Sequence, residues 1–147
     1  MRKFKEVSDY YKKTNGVPTL PKRATIGSGG YDFYSNSDYT VQPNQIAKVW
    51  TDVKCYMEPD DVLILDVRSS MGGKFMLANT IGIIDSTYVD NEDNEGNIGI
   101  FLKNISDKVL TISKGDRIAQ GIFLKYLITD DDNTTAKRVG GFGSSGK

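Results

Sequence analysis

Short apolar runs separated by turn-forming residues recur along almost the whole chain. β-Branched and aromatic residues dominate the runs, and Pro, Gly, Asn and Asp punctuate them at roughly ten-residue spacing, which is typical of all-β sandwiches and barrels. The pattern therefore predicts an all-β domain. Besides the two runs described next, its expected strands are 3–7, 39–41, 46–56, 62–67, 109–112 and 118–127.

The segment 79–88 combines strand-like sequence with chemically useful side chains. It is rich in isoleucine and ends with Asp85 and Tyr88, three residues apart. The polar segment 89–96 follows, and a second apolar run occupies 97–102. Two such runs around a Gly/Asn/Asp cluster predict a β-hairpin with a long tip. Taken alone, Asp85 is either a turn former at the end of a strand or a functional carboxylate.

A second polar group, Arg68, Ser69 and Ser70, directly follows the apolar strand 62–67. A serine here is suited to cap a short helix over 71–78, the one helix that the pattern predicts. An arginine, two hydroxyls and free amides at a helix start fit an anion site. A capped helix beside a solvated arginine fits the sequence as well.

Two features nearer the C-terminus admit both structural and functional interpretations. Strand alternation places Gln120 on the same face as Ile118 and Ile122, where its amide is either satisfied within the core or turned towards a ligand. The glycine-rich segment 140–146 lacks the Lys-Ser/Thr ending of a phosphate-binding loop. Its composition predicts a tail that is mobile on its own.

Composition removes several classes of function. The chain has 147 residues, enough for one domain with a real core, and equal numbers of acidic and basic residues, 19 each. We therefore expect no nucleic-acid partner, and without a long apolar run or a signal peptide we expect no membrane association. Cys55 is the only cysteine, which favours a reducing compartment, the cytoplasm.

The absence of histidine is the strongest constraint on mechanism. It excludes Ser–His and Cys–His nucleophiles, histidine bases and most catalytic zinc sites. The remaining chemistry rests on carboxylates, hydroxyls, amides, Arg and Lys, with a hard metal such as Mg²⁺.

Five segments, taken together and in order, resemble the five motifs of the homotrimeric dUTP diphosphatases (dUTPases), in particular a bacterial and phage branch of that family. The segments are 30–35, 68–70, 82–88, 115–120 and 140–146. The resemblance implies a jelly-roll-like β-barrel over 1–137 and a flexible lid over 138–147, exchanged between the subunits of a trimer. It also implies Mg²⁺-assisted, in-line attack of water on the α-phosphorus of dUTP, giving dUMP and pyrophosphate.

Roles for single residues follow from the same resemblance. Asp85 would orient the attacking water as its base, and Asp32 would hold the water shell of a Mg²⁺ carried mainly by the phosphates. Tyr88 would pack against the deoxyribose, Asn79 would read the uracil edge and Phe142 would stack on the base. The remaining expected substrate contacts are Arg68, Ser69, Ser70, Ile84, Gln120, Arg138, Gly143, Ser144 and Ser145.

The chain departs from the family pattern in two places. The tip 89–96 is enlarged and acidic, and the spacing before the glycine pair lets Lys137 share or take the phosphate role of Arg138. Two alternatives remain at this stage. A dCTP deaminase would need a glutamate where Phe101 stands, and a nucleotide-sensing protein would bind a regulatory protein partner through the acidic tip.

Overall fold

The computed structural model describes residues 1–143 and confirms the all-β prediction, with no α-helix among those residues. Its only helical elements are three 3-10 turns at Asp9–Tyr11, Ser69–Met71 and Ser86–Tyr88. The strands are β1 Lys3–Glu6, β2 Lys22–Arg23, β3 Tyr31–Tyr34, β4 Tyr39–Val41, β5 Ile46–Trp50, β6 Val53–Tyr56, β7 Asp61–Asp66, β8 Phe75–Leu77, β9 Gly82–Asp85, β10 Gly99–Asn104, β11 Leu110–Ile112 and β12 Arg117–Lys125.

The strands form antiparallel sheets that enclose one core. The largest sheet has the order β2-β3-β12-β7-β9, a second has the order β5-β10-β8, and β1-β6 and β4-β11 form two-stranded pairs. The crossing connections between sheets are those of a jelly-roll-like barrel. Its largest fully buried side chains include Phe33, Leu63, Ile98, Ile100, Leu102 and Ile118. Within residues 1–143, no helix is long and apolar enough to span a membrane.

The predicted hairpin of 79–88 with 97–102 is wrong, because its two strands belong to different sheets. β9 pairs with β7, whereas β10 pairs with β5 and β8. The turn Ser86–Tyr88 ends β9, and positive φ angles at Asp90 and Glu95 bend the following loop. The chain therefore crosses between sheets where a hairpin would have returned beside itself.

The predicted helix over 71–78 is also wrong. Only the 3-10 turn Ser69–Met71 forms, and Gly73 then adopts a left-handed φ of 77° that a helix cannot contain. The next residues form β8, in which Phe75 and Leu77 face the core and pair alongside β10. The short apolar alternation therefore outweighs the serine cap.

Strand alternation placed Gln120 on the same face as Ile118 and Ile122. This prediction is wrong for Ile118. The pairing of β12 with β3 shifts between Arg117 and Ala119, and this irregularity turns both Ile118 and Ala119 into the core. Past the shift, Gln120 and Ile122 lie on the opposite face, where Ile122 is exposed. The amide therefore borders a surface and is not enclosed by the core.

Candidate active site

An open pocket of about 450 Å³, here called the apolar pocket, lies between β8, β9 and β10. Leu77, Ile84 and Phe101 line it, with Asn79, Asp85 and Tyr88 among its polar groups. Residues 138 and 141–143, which belong to the predicted lid 138–147 and are here called the C-terminal arm, complete the wall. The pocket thus gathers side chains from the segment 79–88 and from the arm.

Asp85 ends β9 at the edge of this pocket. Its carboxylate is 54% exposed, and Arg138 Nη2 donates to Asp85 Oδ2 at 2.7 Å. Arg138 also donates from Nε to the hydroxyl of Thr87 at 3.2 Å. The only carboxylate among the described lining residues is therefore paired with an arginine of the arm.

Tyr88 is held rigidly under the pocket. Its hydroxyl donates to the carbonyl of Asn97 at 2.8 Å and accepts from Asn94 Nδ2 at 2.9 Å. Burial raises the pKa of the Tyr88 phenol, so the ring stays neutral at physiological pH. The guanidinium of Arg138 lies 5.8 Å from the ring centroid, which adds a cation–π contact.

Aromatic rings close one side of the apolar pocket. Phe142 stacks on Phe101 with ring centroids 5.1 Å apart and an interplanar angle of 25°, and Trp50 meets both rings edge-on. Phe142, expected to stack on a base, thus occupies a stacking position against Phe101. Only glycine fits at 99, because a Cβ there would lie 2.9 Å from the ring of Phe101.

The C-terminal arm lies across the apolar pocket of its own chain. Arg138 and Phe142 contact Asp85 and Phe101 there. Exchange of the arm between the subunits of a trimer stays a prediction. The candidate residues Ser144 and Ser145 lie outside the described residues, and Lys137 is exposed.

A second depression of about 440 Å³, here called the basic cleft, contains Arg68 and Ser70. Lys74 and Arg117, which sequence reasoning did not select, line it too. Lys74 was missed because 71–78 was assigned to a helix, whereas Arg117 sits inside a recognised motif, 115–120, where only Gln120 was chosen. The basic cleft collects positive charge away from the apolar pocket.

Asp32 organises the basic cleft from below. Its nearly buried carboxylate accepts from Arg68 Nε at 3.0 Å and lies 3.6 Å from Arg117 Nη1. Gln120 Nε2 is 3.5 Å from the carbonyl of Val67, which places this amide beside the same cleft. Asp32 therefore holds two arginines, and among the described residues no group of three acidic or sulfur ligands could bind a metal.

The two sites lie far apart on one chain. Asp85 pairs opposite Val62 at the start of β7, while Arg68 follows the end of the same strand six residues later. At the rise of an extended chain this separation is about 20 Å. The structure therefore brings Asn79, Ile84, Asp85, Tyr88, Arg138, Phe142 and Gly143 together, and separately Asp32, Arg68, Ser69, Ser70 and Gln120.

The acidic tip is less exposed than the sequence suggested. Lys54 Nζ donates to Asp90 at 2.6 Å and to Glu95 at 2.8 Å. Half of the carboxylates in the tip 89–96 are therefore paired with this lysine. Burial would lower the pKa of Lys54, but these hydrogen bonds outweigh it and raise the pKa well above its usual value. Elsewhere, burial raises the pKa of Cys55 to about 12, which leaves this thiol protonated and unreactive.

Comparisons with known proteins agree with the motifs. The family model for dUTPase matches residues 18–146. The deoxyuridine 5'-triphosphate nucleotidohydrolase of Lactococcus lactis is 38% identical over 150 aligned positions, covering 99% of this chain and 98% of the relative. A crystal structure of dUTPase from Streptococcus mutans superposes with a TM-score of 0.75 at 36% identity, covering 86% of this chain and 98% of the other.

A more distant solved structure shares the fold alone. It is a variant dUTPase from phage phi11 of S. aureus, 20% identical with a TM-score of 0.70, covering 92% of this chain and 97% of its own. That protein is described as coordinating a structural Mg(II) ion. The family model matches most of the chain, a relative matches it over nearly its full length, and two pockets hold the motifs of the family. This chain therefore belongs to the dUTPase family of dUTP-hydrolysing enzymes.

Proposed function

We propose that this chain hydrolyses dUTP to dUMP and pyrophosphate with Asp85 as the base that orients and deprotonates the attacking water. The observation that carries the proposal is the position of Asp85, a half-exposed carboxylate at the mouth of a pocket that has no other carboxylate among its described lining residues. Positioning a water and neutralising phosphate charge are the main demands of this reaction.

Substrate binding would begin with movement of the arm. Arg138 occupies the Asp85 carboxylate and Phe142 covers Phe101, so a nucleotide can enter only when these contacts open. The phosphates offer Arg138 a stronger, bidentate partner, and the base offers Phe142 a new stacking surface. When Arg138 moves from Asp85 to the phosphates, the Asp85 carboxylate becomes free to bind water while substrate is present.

Base selection would come from the backbone around the apolar pocket. Uracil presents one N–H donor flanked by two carbonyl acceptors, whereas cytosine reverses two of these groups. Fixed backbone N–H and C=O groups near Asn79 that pair with uracil would be left unpaired with cytosine, which costs several kcal/mol. Tyr88, immobilised by its hydroxyl, would fill the space that a ribose 2′-hydroxyl needs.

The site would be assembled from more than one chain. The basic cleft lies about 20 Å along β7 from Asp85, farther than a triphosphate extends, so the cleft that binds phosphate must come from another copy. The outer face of the largest sheet is suited to such contacts. Ile64, Ile83 and Ile122 are neighbours across β7, β9 and β12, and Ile83 and Ile122 are 60% and 42% exposed. A homotrimer satisfies both observations.

Mg²⁺ would be held mainly by the substrate phosphates, where it supplies charge neutralisation. Asp32 fits only an outer role, because Arg68 and Arg117 already share its carboxylate. The contribution of Asp32 would be to hold Arg68 in the orientation that meets the phosphates. The chain would therefore supply positively charged side chains to the phosphates, and the direct contacts to Mg²⁺ would come from the substrate.

The deaminase alternative is weakened by Phe101, which lines the apolar pocket where a proton-transferring glutamate would be needed. The regulatory alternative loses part of its basis, because Asp90 and Glu95 are paired with Lys54. A protein partner stays a prediction.

The proposal is tested by incubating the protein with dUTP, dCTP, dTTP and UTP, with Mg²⁺ and with chelator. We expect pyrophosphate from dUTP alone, only with metal present. Ammonia from dCTP, or equal pyrophosphate release from dUTP and UTP, would contradict it.

A further inference from the structure

Two asparagines form a buried link inside the loop 89–96. Asn91 Nδ2 donates to the carbonyl of Tyr88 at 2.7 Å and to Asn94 Oδ1 at 2.7 Å. Asn94 Nδ2 donates to the Tyr88 hydroxyl at 2.9 Å. Both side chains are less than one-tenth exposed. The loop is therefore fastened directly to the tyrosine beneath the apolar pocket.

The opposite side of the same pair meets the C-terminal arm. The backbone N–H of Gly141 donates to Asp93 Oδ2 at 2.8 Å. A Cβ at position 141 would lie 2.9 Å from Asn94 Nδ2 and 3.0 Å from Asn91 Oδ1. These approaches are shorter than side chains tolerate, so the absence of a side chain at 141 permits the contact.

We propose that the loop 89–96 is the seat of the C-terminal arm, and that Asp93, Asn91 and Asn94 are positioning residues for hydrolysis. The carbonyl of Gly141 also accepts from Arg138 Nη1 at 3.4 Å, and Phe142 is the next residue. Fixing Gly141 therefore sets both functional side chains of the arm. The inference rests on the proposed function, because it assigns the loop to the lid of that same site.

The enlarged loop thereby acquires a role different from a partner-binding acidic tip. Asn94 touches the Tyr88 hydroxyl on one side and the arm on the other. A sugar packed on Tyr88 would therefore contact the tyrosine that is hydrogen-bonded to the loop 89–96, and this loop holds the arm closed. Closure of the arm excludes water and completes the phosphate contacts, so the loop acts on turnover more than on affinity.

The test compares Asp93→Ala with Glu92→Ala, a matched loss of one exposed acidic side chain from the same loop. Glu92 has no side-chain hydrogen bond to the described part of the arm, whereas Asp93 holds Gly141. Trypsin cleavage after Arg138 in the nucleotide-free protein measures seating. We expect Asp93→Ala to accelerate cleavage about tenfold, as the loss of one charge-assisted hydrogen bond predicts, and Glu92→Ala to leave it unchanged.

Two further variants separate seating from folding. Gly141→Ala should also accelerate cleavage, while Asp93→Asn, which keeps an acceptor oxygen, should restore most of the protection. We expect kcat for dUTP to fall in step with seating while KM changes less. Unchanged cleavage in both Asp93→Ala and Gly141→Ala would overturn the seat.

Failure of the proposed function would look different. If both variants release the arm but the parent protein does not hydrolyse dUTP, the seat stands and the proposed function is wrong. If a chain ending at Lys137 hydrolyses dUTP as fast as the full chain, the proposed function stands and the role of the seat in hydrolysis is overturned.

Discussion

The apolar pocket and the basic cleft have similar volumes and opposite chemistry. The first is walled by apolar and aromatic side chains around one carboxylate, Asp85, and the second by Arg68, Lys74 and Arg117. The first is suited to select a nucleoside by shape, and the second to bind phosphates by charge. On the proposed arrangement, the two tasks lie on different copies of the chain, and the complete site forms only where the apolar pocket of one copy meets the basic cleft of another.

The largest effect should distinguish chemistry in the pocket from charge in the cleft. Asp85→Asn should lower kcat by about 10²–10⁴ with little change in dUTP affinity, because an amide cannot accept the proton of water. Arg68→Gln keeps a donor for Asp32 but loses its charge, so it should weaken nucleotide binding. Steady-state kinetics paired with equilibrium binding measures both. Near-normal turnover in Asp85→Asn would refute its role as base.

Removing the arm should open the apolar pocket and remove the phosphate contacts of Arg138. A chain ending at Lys137 should fold like the full protein and lose about 10² in kcat, because reacting groups held loosely lose their alignment. Trp50 fluorescence provides an internal probe, because Phe142 lies 6.4 Å from its ring in the intact chain. Full turnover by the truncated chain would mean that the arm is a linker.

Sugar discrimination should be a smaller effect confined to the pocket. Tyr88→Ala should raise the ratio of kcat/KM for UTP to that for dUTP by about tenfold, since the ring no longer excludes the 2′-hydroxyl. Tyr88→Phe is the matched control, because it keeps the ring and loses the hydrogen bonds to Asn97 and Asn94. If the ratio does not move in Tyr88→Ala, the ring serves packing only.

The sequence was informative about the pocket and much less so about its surroundings. Asp85 and Tyr88 were visible because an apolar run ends on them, a local signal. Their strand partner was not, since the turn at Ser86–Tyr88 sends the chain to another sheet. Pairing of β9 with β7 and of β10 with β5 is decided by long-range packing, which no local pattern encodes.

The basic cleft shows the same limit. Arg68 and Gln120 stood out in motifs, but Asp32 was assigned to metal, and its contact with Arg68 spans 36 positions in the sequence. Lys74 escaped notice because the possible serine cap led 71–78 to be assigned to a helix, although Gly72 and Gly73 argued against one. Hydrogen bonds between distant side chains depend on register, and the shift in β12 changed the face of Gln120.

The smallest predicted effect is the loss of the stability that the ion pairs of the loop 89–96 contribute, as the pH falls. Burial would raise the pKa of Glu95, but hydrogen bonds from Lys54 and Ser8 outweigh it and hold the pKa below its usual value. A lowered folded-state pKa contributes stability above the unfolded value of about 4.3, and this is lost as pH falls through the folded value. The raised pKa of Lys54 keeps its contribution intact until well into alkaline pH.

Thermal melts of the parent and of Glu95→Gln between pH 3 and pH 7 measure this contribution. We expect the parent to be more stable at neutral pH by about 1 kcal/mol, as for a partly exposed ion pair, and the gap to close in acid. Parallel curves over the whole range would show that the pair does not stabilise the loop.

The central claim, that the apolar pocket of one chain works with the basic cleft of another, is tested most directly by mixing two impaired variants at a dUTP concentration too low to saturate Arg68→Gln. Asp85→Asn and Arg68→Gln chains carry different affinity tags, are expressed together, and mixed assemblies are purified through both tags. A site between chains predicts that activity reappears at about a third of the parent value, because each mixed trimer contains one site built from an intact pocket and an intact cleft. Mixed assemblies no more active than the separate variants would contradict the claim, because each chain would then hold a complete site of its own.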